Sequence, residues 1–188
     1  MTHDTYRNAI AWKRVLRPLV WGGAALLLLT PWVAMRFTDE VAWTGGDFVV
    51  FGAMLLAGCV AFETTARVAR VPSYLLASAI SIGAGFLLLW ANLAVGIVDE
   101  PGHRANLLFL GVLVVGALGA GVARLQARGM SRVLVAMALA QMAAGGIAMG
   151  MDTQESPTFV LAFTGLYVVA WLLSALLFLK AARALAAG

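Results

Sequence analysis

The chain has 188 residues, 62% of them hydrophobic and 12% charged, with a net charge of +4. A soluble domain carries about 25% charged residues, so this composition excludes a water-covered globule and indicates one membrane domain clothed in lipid. The basic residues fall in short clusters between apolar runs, not along one amphipathic face, which excludes nucleic acid as a partner.

A helix needs about 20 apolar residues to cross the hydrocarbon. Six stretches qualify, so the expected fold is all-α, a polytopic bundle of six transmembrane helices. The first covers 18–35 and follows "KRVLR", Lys13 to Arg17. That basic start resembles a signal peptide, but the apolar run is too long and "PWVAMRF" offers no small-x-small cleavage site, so a retained helix is expected. The loop "FTDEVAWTGGDF", Phe37 to Phe48, comes next, with Asp39, Glu40, Trp43 and Asp47. Asp47 is expected to cap the second helix after a Gly45-Gly46 turn.

The second span covers 47–66. It holds the lone cysteine, Cys59, and the one acid well inside a span, Glu63. Glu63 stands four residues before Arg67, the favourable order for a helical ion pair; a proton relay is the sharper alternative. The third span, 72–97, carries Asn92, and "DEPGHR" after it reads as a turn at Pro101-Gly102. The fourth, 105–123, opens near Asn106. Its "LLFLGVLVVGALGAGVA" is apolar on every side, which fits a helix in lipid and not a barrel strand. The fifth, 133–151, places Gln141 near mid-membrane. The sixth, 157–179, has Ser156 or Thr158 as its cap.

Six spans put eleven of the 13 Lys and Arg on one side: Arg7, Lys13, Arg14, Arg17, Arg67, Arg70, Arg124, Arg128, Arg132, Lys180 and Arg183. Only Arg36 and Arg104 fall on the other. The positive-inside rule then places both termini in the cytoplasm. Seven of nine acids lie outside: Asp39, Glu40, Asp47, Asp99, Glu100, Asp152 and Glu155. Trp32 and Trp43 mark the outer interface, and Trp12 and Trp21 the inner one.

The chain reads as three hairpins. "DFVVFGAMLL" (47–56) lies over "NLLFLGVLVV" (106–115) with Gly52 and Gly111 in register, a weak sign of duplication. Small residues recur at four-residue spacing: Ala53, Ala57 and Ala61; Ala77, Ser81 and Gly85; Gly116 with Ala120; Gly119 with Ala123; Ala136, Ala140, Ala144 and Ala148. Such faces let helix backbones approach closely in lipid, either within this chain, in a homo-oligomer or against a protein partner.

Chemistry is sparse. The two histidines, His3 and His103, lie outside the spans, which excludes bis-histidine haem ligation. A metal site on His103 with Asp99 and Glu100 is weaker than the turn reading. The methionines of the fifth span share no face and fit gap-filling better than a copper ladder. No cofactor, metal or catalytic set is expected. Intramembrane amides mark either helix contacts or a site. Asn92, Asn106 and Asp47, with Asp39, Glu40 and Trp43, are the candidates for an outward-facing polar pocket, and Gln141 joins them as a possible ligand contact.

At "FTDEVAWTGGDF" and "WANLAVGIVDE", Trp90 to Glu100, the chain resembles a group of small, uncharacterised bacterial inner-membrane proteins with the pattern FTDEV-x-W…DF followed by NLAVGI. The resemblance covers most of the spans. It implies a multi-span inner-membrane fold, brings no assigned activity, and raises the interest of Asp39, Glu40, Trp43, Asp47 and Asn92. Vitamin-uptake substrate-binding subunits are compatible in size and span count but give no convincing match. Rhodopsins are disfavoured, because Lys180 lies at a helix end and not at mid-membrane.

The leading expectation is a multi-pass bacterial inner-membrane protein acting without catalysis, as a subunit or accessory factor of a larger assembly. The alternative is a small carrier or binding protein for a solute or cation at the outer acidic and amide groups. A membrane enzyme ranks third.

Overall fold

Each apolar run becomes one helix. The computed structural model describes residues 3–100, 102–151 and 155–187, with side chains of the first helix from Ile10 onward. The order is α1 His3–Ala34, α2 Gly45–Val68, α3 Pro72–Ala94, α4 Asn106–Ala123, α5 Ala127–Met149 and α6 Pro157–Ala186. No strand occurs among the described residues, and all six helices are long and apolar enough to cross a membrane. Pro101, Asp152 and the side chains of His3 and Arg7 lie outside the described residues.

The helix ends differ from the apolar limits for local reasons. α1 begins at His3, not near residue 18, and runs on through Pro18 and Pro31. Lys and Arg are good helix formers, and membrane helices tolerate proline. α2 starts at Gly45, so the two glycines are its first helical residues and not a preceding turn. α3 stops at Ala94. Gly96 takes φ 82°, and the N–H groups of Val95 and Gly96 both return to Ala91 O. That left-handed residue ends the helix inside an apolar run, so Ile97 and Val98 become a buried loop, 2% and 0% exposed. α4 ends on two left-handed residues, Arg124 and Leu125. The tight turn brings α5 in at Ala127, ahead of Arg128 and Arg132.

Pair contacts fix the packing. Gly52 of α2 lies against Leu28 of α1, and Arg17 meets Glu63, so these helices run antiparallel. Tyr74 Oη donates to Leu125 O at 2.6 Å and Asn92 Nδ2 to Asn106 O at 2.7 Å, which locks both ends of the α3–α4 pair. A side chain at Gly116, Gly119 or Gly145 would collide with Met137, Val133 or Thr164. Small residues thus set the α4–α5 and α5–α6 spacing. Gly111, aligned with Gly52 in the sequence, faces open space, so the two glycines do not share a packing role.

The core lies among α3, α4, α5 and α6, around Leu75, Leu88, Phe109, Leu134, Trp171 and Phe178. Lipid is as apolar as leucine, so close packing and not exclusion from water holds these helices together. Tyr74 meets Phe178 edge-on at 4.9 Å. α1 touches only α2 and α3 among the helix pairs in substantial contact. Most of its length is exposed, including Leu19, Leu26 and Leu29.

Candidate functional site

The residues singled out in the sequence separate into four groups. Asp39 and Glu40 are exposed, on the loop after α1. Asp47 sits at the third position of α2 in a capping box with Thr44. Its Oδ2 accepts from Thr44 N at 2.7 Å and Thr44 Oγ1 at 2.8 Å, and Asp47 N donates to Thr44 Oγ1 at 3.3 Å. Thr44, not Asp47, is therefore the cap residue, and Asp47 the reciprocal partner. At α6, Ser156 Oγ accepts from Phe159 N at 3.2 Å, which makes it the cap ahead of Thr158.

Trp43 stands edge-on to Phe48 and Phe51, with ring centres 5.3 and 5.2 Å apart. Beside it opens a cleft of about 330 Å³ between α2 and α3, lined by Trp43, Asp47, Phe51, Met54 and Trp90 among others. Two indoles, a phenyl ring and a carboxylate are groups that can receive a cation. Neither Asn92 nor Asn106 lines this cleft.

Asn92 and Asn106 come together elsewhere, buried at 3% and 2% exposure. Asn106 Oδ1 accepts from Ile97 N at 3.0 Å and Val98 N at 2.9 Å. Its Nδ2 donates to Val98 O at 3.2 Å and Glu100 O at 2.8 Å. Asn106 thus replaces the hydrogen bonds that the Ile97–Glu100 loop lost on leaving the helix. The expected outward pocket of Asn92, Asn106 and Asp47 is not assembled: two of the three hold the α3–α4 loop, and Asp47 stands in the α2 capping box beside the Trp43 cleft. His103 belongs to the same loop. Its Nδ1 accepts from Ala105 N at 3.3 Å, and its Nε2 lies 3.8 Å from Asp99 Oδ2. Among the described residues, no three of His, Cys, Asp and Glu converge as a metal site.

Glu63 joins α1 to α2. Its Oε1 takes Arg17 Nη2 at 2.7 Å and Arg67 Nε at 3.3 Å. The sequence spacing pointed to Arg67. Arg17, 46 residues away, carried no such signal. Both partners are arginines, which do not pass a proton on, so the geometry favours an ion-pair anchor over a relay.

Gln141 is fully buried, and neither amide atom has a hydrogen-bond partner. Three further buried groups, all on α6, are also unpartnered: Thr164 Oγ1, which faces Gly145 of α5, Trp171 Nε1 and Ser174 Oγ. Elsewhere helix hydroxyls return to their own backbone, as Thr64 does to Val60 O and Ser78 to Tyr74 O. Those of Thr164 and Ser174 do not. The sequence pointed to Gln141, but a serine, a threonine and a tryptophan within an apolar run gave no comparable signal.

No family model, curated protein or solved structure matches the chain. The chain is an all-helical protein with six helices long and apolar enough to span a membrane.

Proposed function

We propose that the chain is a multi-pass protein of the bacterial inner membrane, with both termini cytoplasmic. In this reading it acts without chemistry of its own, as a subunit or accessory factor of a larger membrane assembly. One observation carries the reading. Ala53, Ala57 and Ala61 form a small-residue face along α2, and all three are exposed. The small faces of α4 and α5 are engaged in part, with Gly119 against Val133 and Ala144 and Ala148 buried, while Ala136 is exposed. A face suited to backbone contact, left bare in this chain, suits a helix from another chain.

The test is affinity purification in mild detergent, followed by mass spectrometry of native protein and Ala57→Leu. A stoichiometric partner kept by the native chain and lost by the variant supports the proposal. A lone chain in both preparations, with unchanged thermal stability, contradicts it.

The outer cleft favours a second reading, a small binding protein or carrier for a cation. Trp43, Trp90 and Asp47 suit an organic ammonium ion, which gains from ring faces and a carboxylate together. Binding of tetramethylammonium, lost on Trp43→Leu, would support it. Equal binding by native protein and variant would remove it.

A further inference from the structure

A further cavity lies at the opposite end of the bundle from the Trp43 cleft. It measures about 410 Å³ and is walled by α1, α3 and α6, through Trp12, Leu16, Ser73, Leu76, Leu177 and Lys180 among others. Its depth follows from helix geometry. A rise of about 1.5 Å per residue places Trp12, Pro72 and Lys180 roughly 33, 33 and 35 Å from Ala34, Ala94 and Pro157, the far ends of their helices. A bilayer's hydrocarbon is about 30 Å thick. All three residues therefore stand about one hydrocarbon thickness from the far ends of their helices, with Leu16, Leu76 and Leu177 about a turn closer to the middle. The cavity is a vertical slot with an apolar floor and a polar rim.

Among the described residues, the one charged side chain lining the rim is basic, Lys180. Lys180 is exposed and takes no part in the ion pairs among the described residues, which are Arg17 and Arg67 with Glu63 and His103 with Asp99. Val71 gives α3 no side-chain cap. Ser73, in the first turn of α3, lines the same cavity. Arg70 precedes α3 and is exposed. Among the described residues, no acid lines the slot.

We propose that this slot holds one anionic phospholipid. Its phosphate sits at Lys180 and Ser73, the glycerol lies beside Trp12, and an acyl chain descends along Leu16, Leu76 and Leu177. Charge and depth together select this occupant. A transmembrane peptide would bring no anion to the headgroup level, and a soluble anion would leave the apolar floor unfilled. Basic pockets between helices at a cytoplasmic face are suited to anionic headgroups. The inference is independent of the assembly reading and of the outer cleft.

The experiment follows thermal unfolding of the full chain in a neutral detergent as phosphatidylglycerol is added. Parallel titrations use phosphatidylcholine and inorganic phosphate. Phosphatidylglycerol is expected to raise the unfolding temperature, and the other two to leave it in place. Lys180→Gln should move the midpoint of the phosphatidylglycerol titration upward about fivefold, the effect of one cation near an anionic headgroup. Leu76→Trp, which fills the slot from a partly exposed position, should abolish the response and leave the lipid-free unfolding temperature near native. Arg128→Gln, a basic residue outside the slot, should change nothing. The proposal is overturned if Lys180→Gln titrates like native protein, or if Arg128→Gln weakens the response as much. It is also overturned if inorganic phosphate or phosphatidylcholine protects as well as phosphatidylglycerol does.

Discussion

Removing the Asn106 side chain should loosen the Ile97–Glu100 end of the α3–α4 hairpin. That side chain makes four hydrogen bonds to the Ile97–Glu100 loop, and the main-chain carbonyl of Asn106 accepts a further one from Asn92 Nδ2. Asn106→Ala strands the N–H groups of Ile97 and Val98 in a buried setting. Each unsatisfied buried group costs about 1–3 kcal/mol. Water entering the space left by the side chain would recover part of that, so the expected loss is about 2–4 kcal/mol. Asn106→Asp is a sharper probe. It keeps acceptors for the two N–H groups but turns a second oxygen toward Val98 O and Glu100 O, so it should be no better than alanine. Asn92→Ala removes a single bond and should cost about 1 kcal/mol. The assay is thermal unfolding in mild detergent, with limited proteolysis between residues 95 and 105 as a local readout. If Asn106→Ala unfolds at the native temperature and its loop resists protease as before, the loop-clamp account fails.

Three further outcomes follow from the packing. Gln141→Leu should stabilise the chain by about 1–3 kcal/mol, because it replaces an unpartnered buried amide with an apolar group of similar size; lower stability would show that the amide has a partner, such as a buried water. Gly145→Ala should cost about 1–3 kcal/mol through overpacking against Thr164. Thr164→Ala in the same chain should recover part of that loss, while Gly146→Ala, which faces open space, should be neutral or slightly stabilising, and equal effects at 145 and 146 would contradict the α5–α6 register. Arg17→Gln should destabilise more than Arg67→Gln, since Arg17 is the closer partner of Glu63 and its side chain is 40% exposed against 73%; the reverse order in urea-shifted unfolding would remove the anchor role.

The six spans were legible because unbroken apolar runs between charged clusters have few alternatives to a membrane helix. Their ends were less so. Pro18 looked like a start, yet the basic residues before it continue the helix. Gly96 ended α3 inside an apolar run, where hydrophobicity gives no warning. The Glu63–Arg67 pair could be read from spacing, while Arg17 depended on how α1 docks. Asn92 and Asn106 stood out in the sequence as amides within or beside apolar runs, but their use as a loop clamp depended on the unforeseen turn at 95–100. The burial of Thr164, Trp171 and Ser174 without partners was hidden for a related reason. A helix apolar on all sides does not encode which way it faces, so only the packed structure shows which of its polar groups are buried.

Side-specific labelling tests the membrane reading most directly. Cys59 is buried and is the only cysteine, so one Cys59→Ala change gives a background free of thiols. Gly102→Cys and Ala187→Cys, placed there one at a time, probe the two ends of the bundle at exposed positions. With a membrane-impermeant maleimide, Gly102→Cys should label in intact cells whose outer membrane admits the reagent. Ala187→Cys should label only after the inner membrane is broken. Labelling of both sites from the same side would contradict six crossings, whatever the composition suggests.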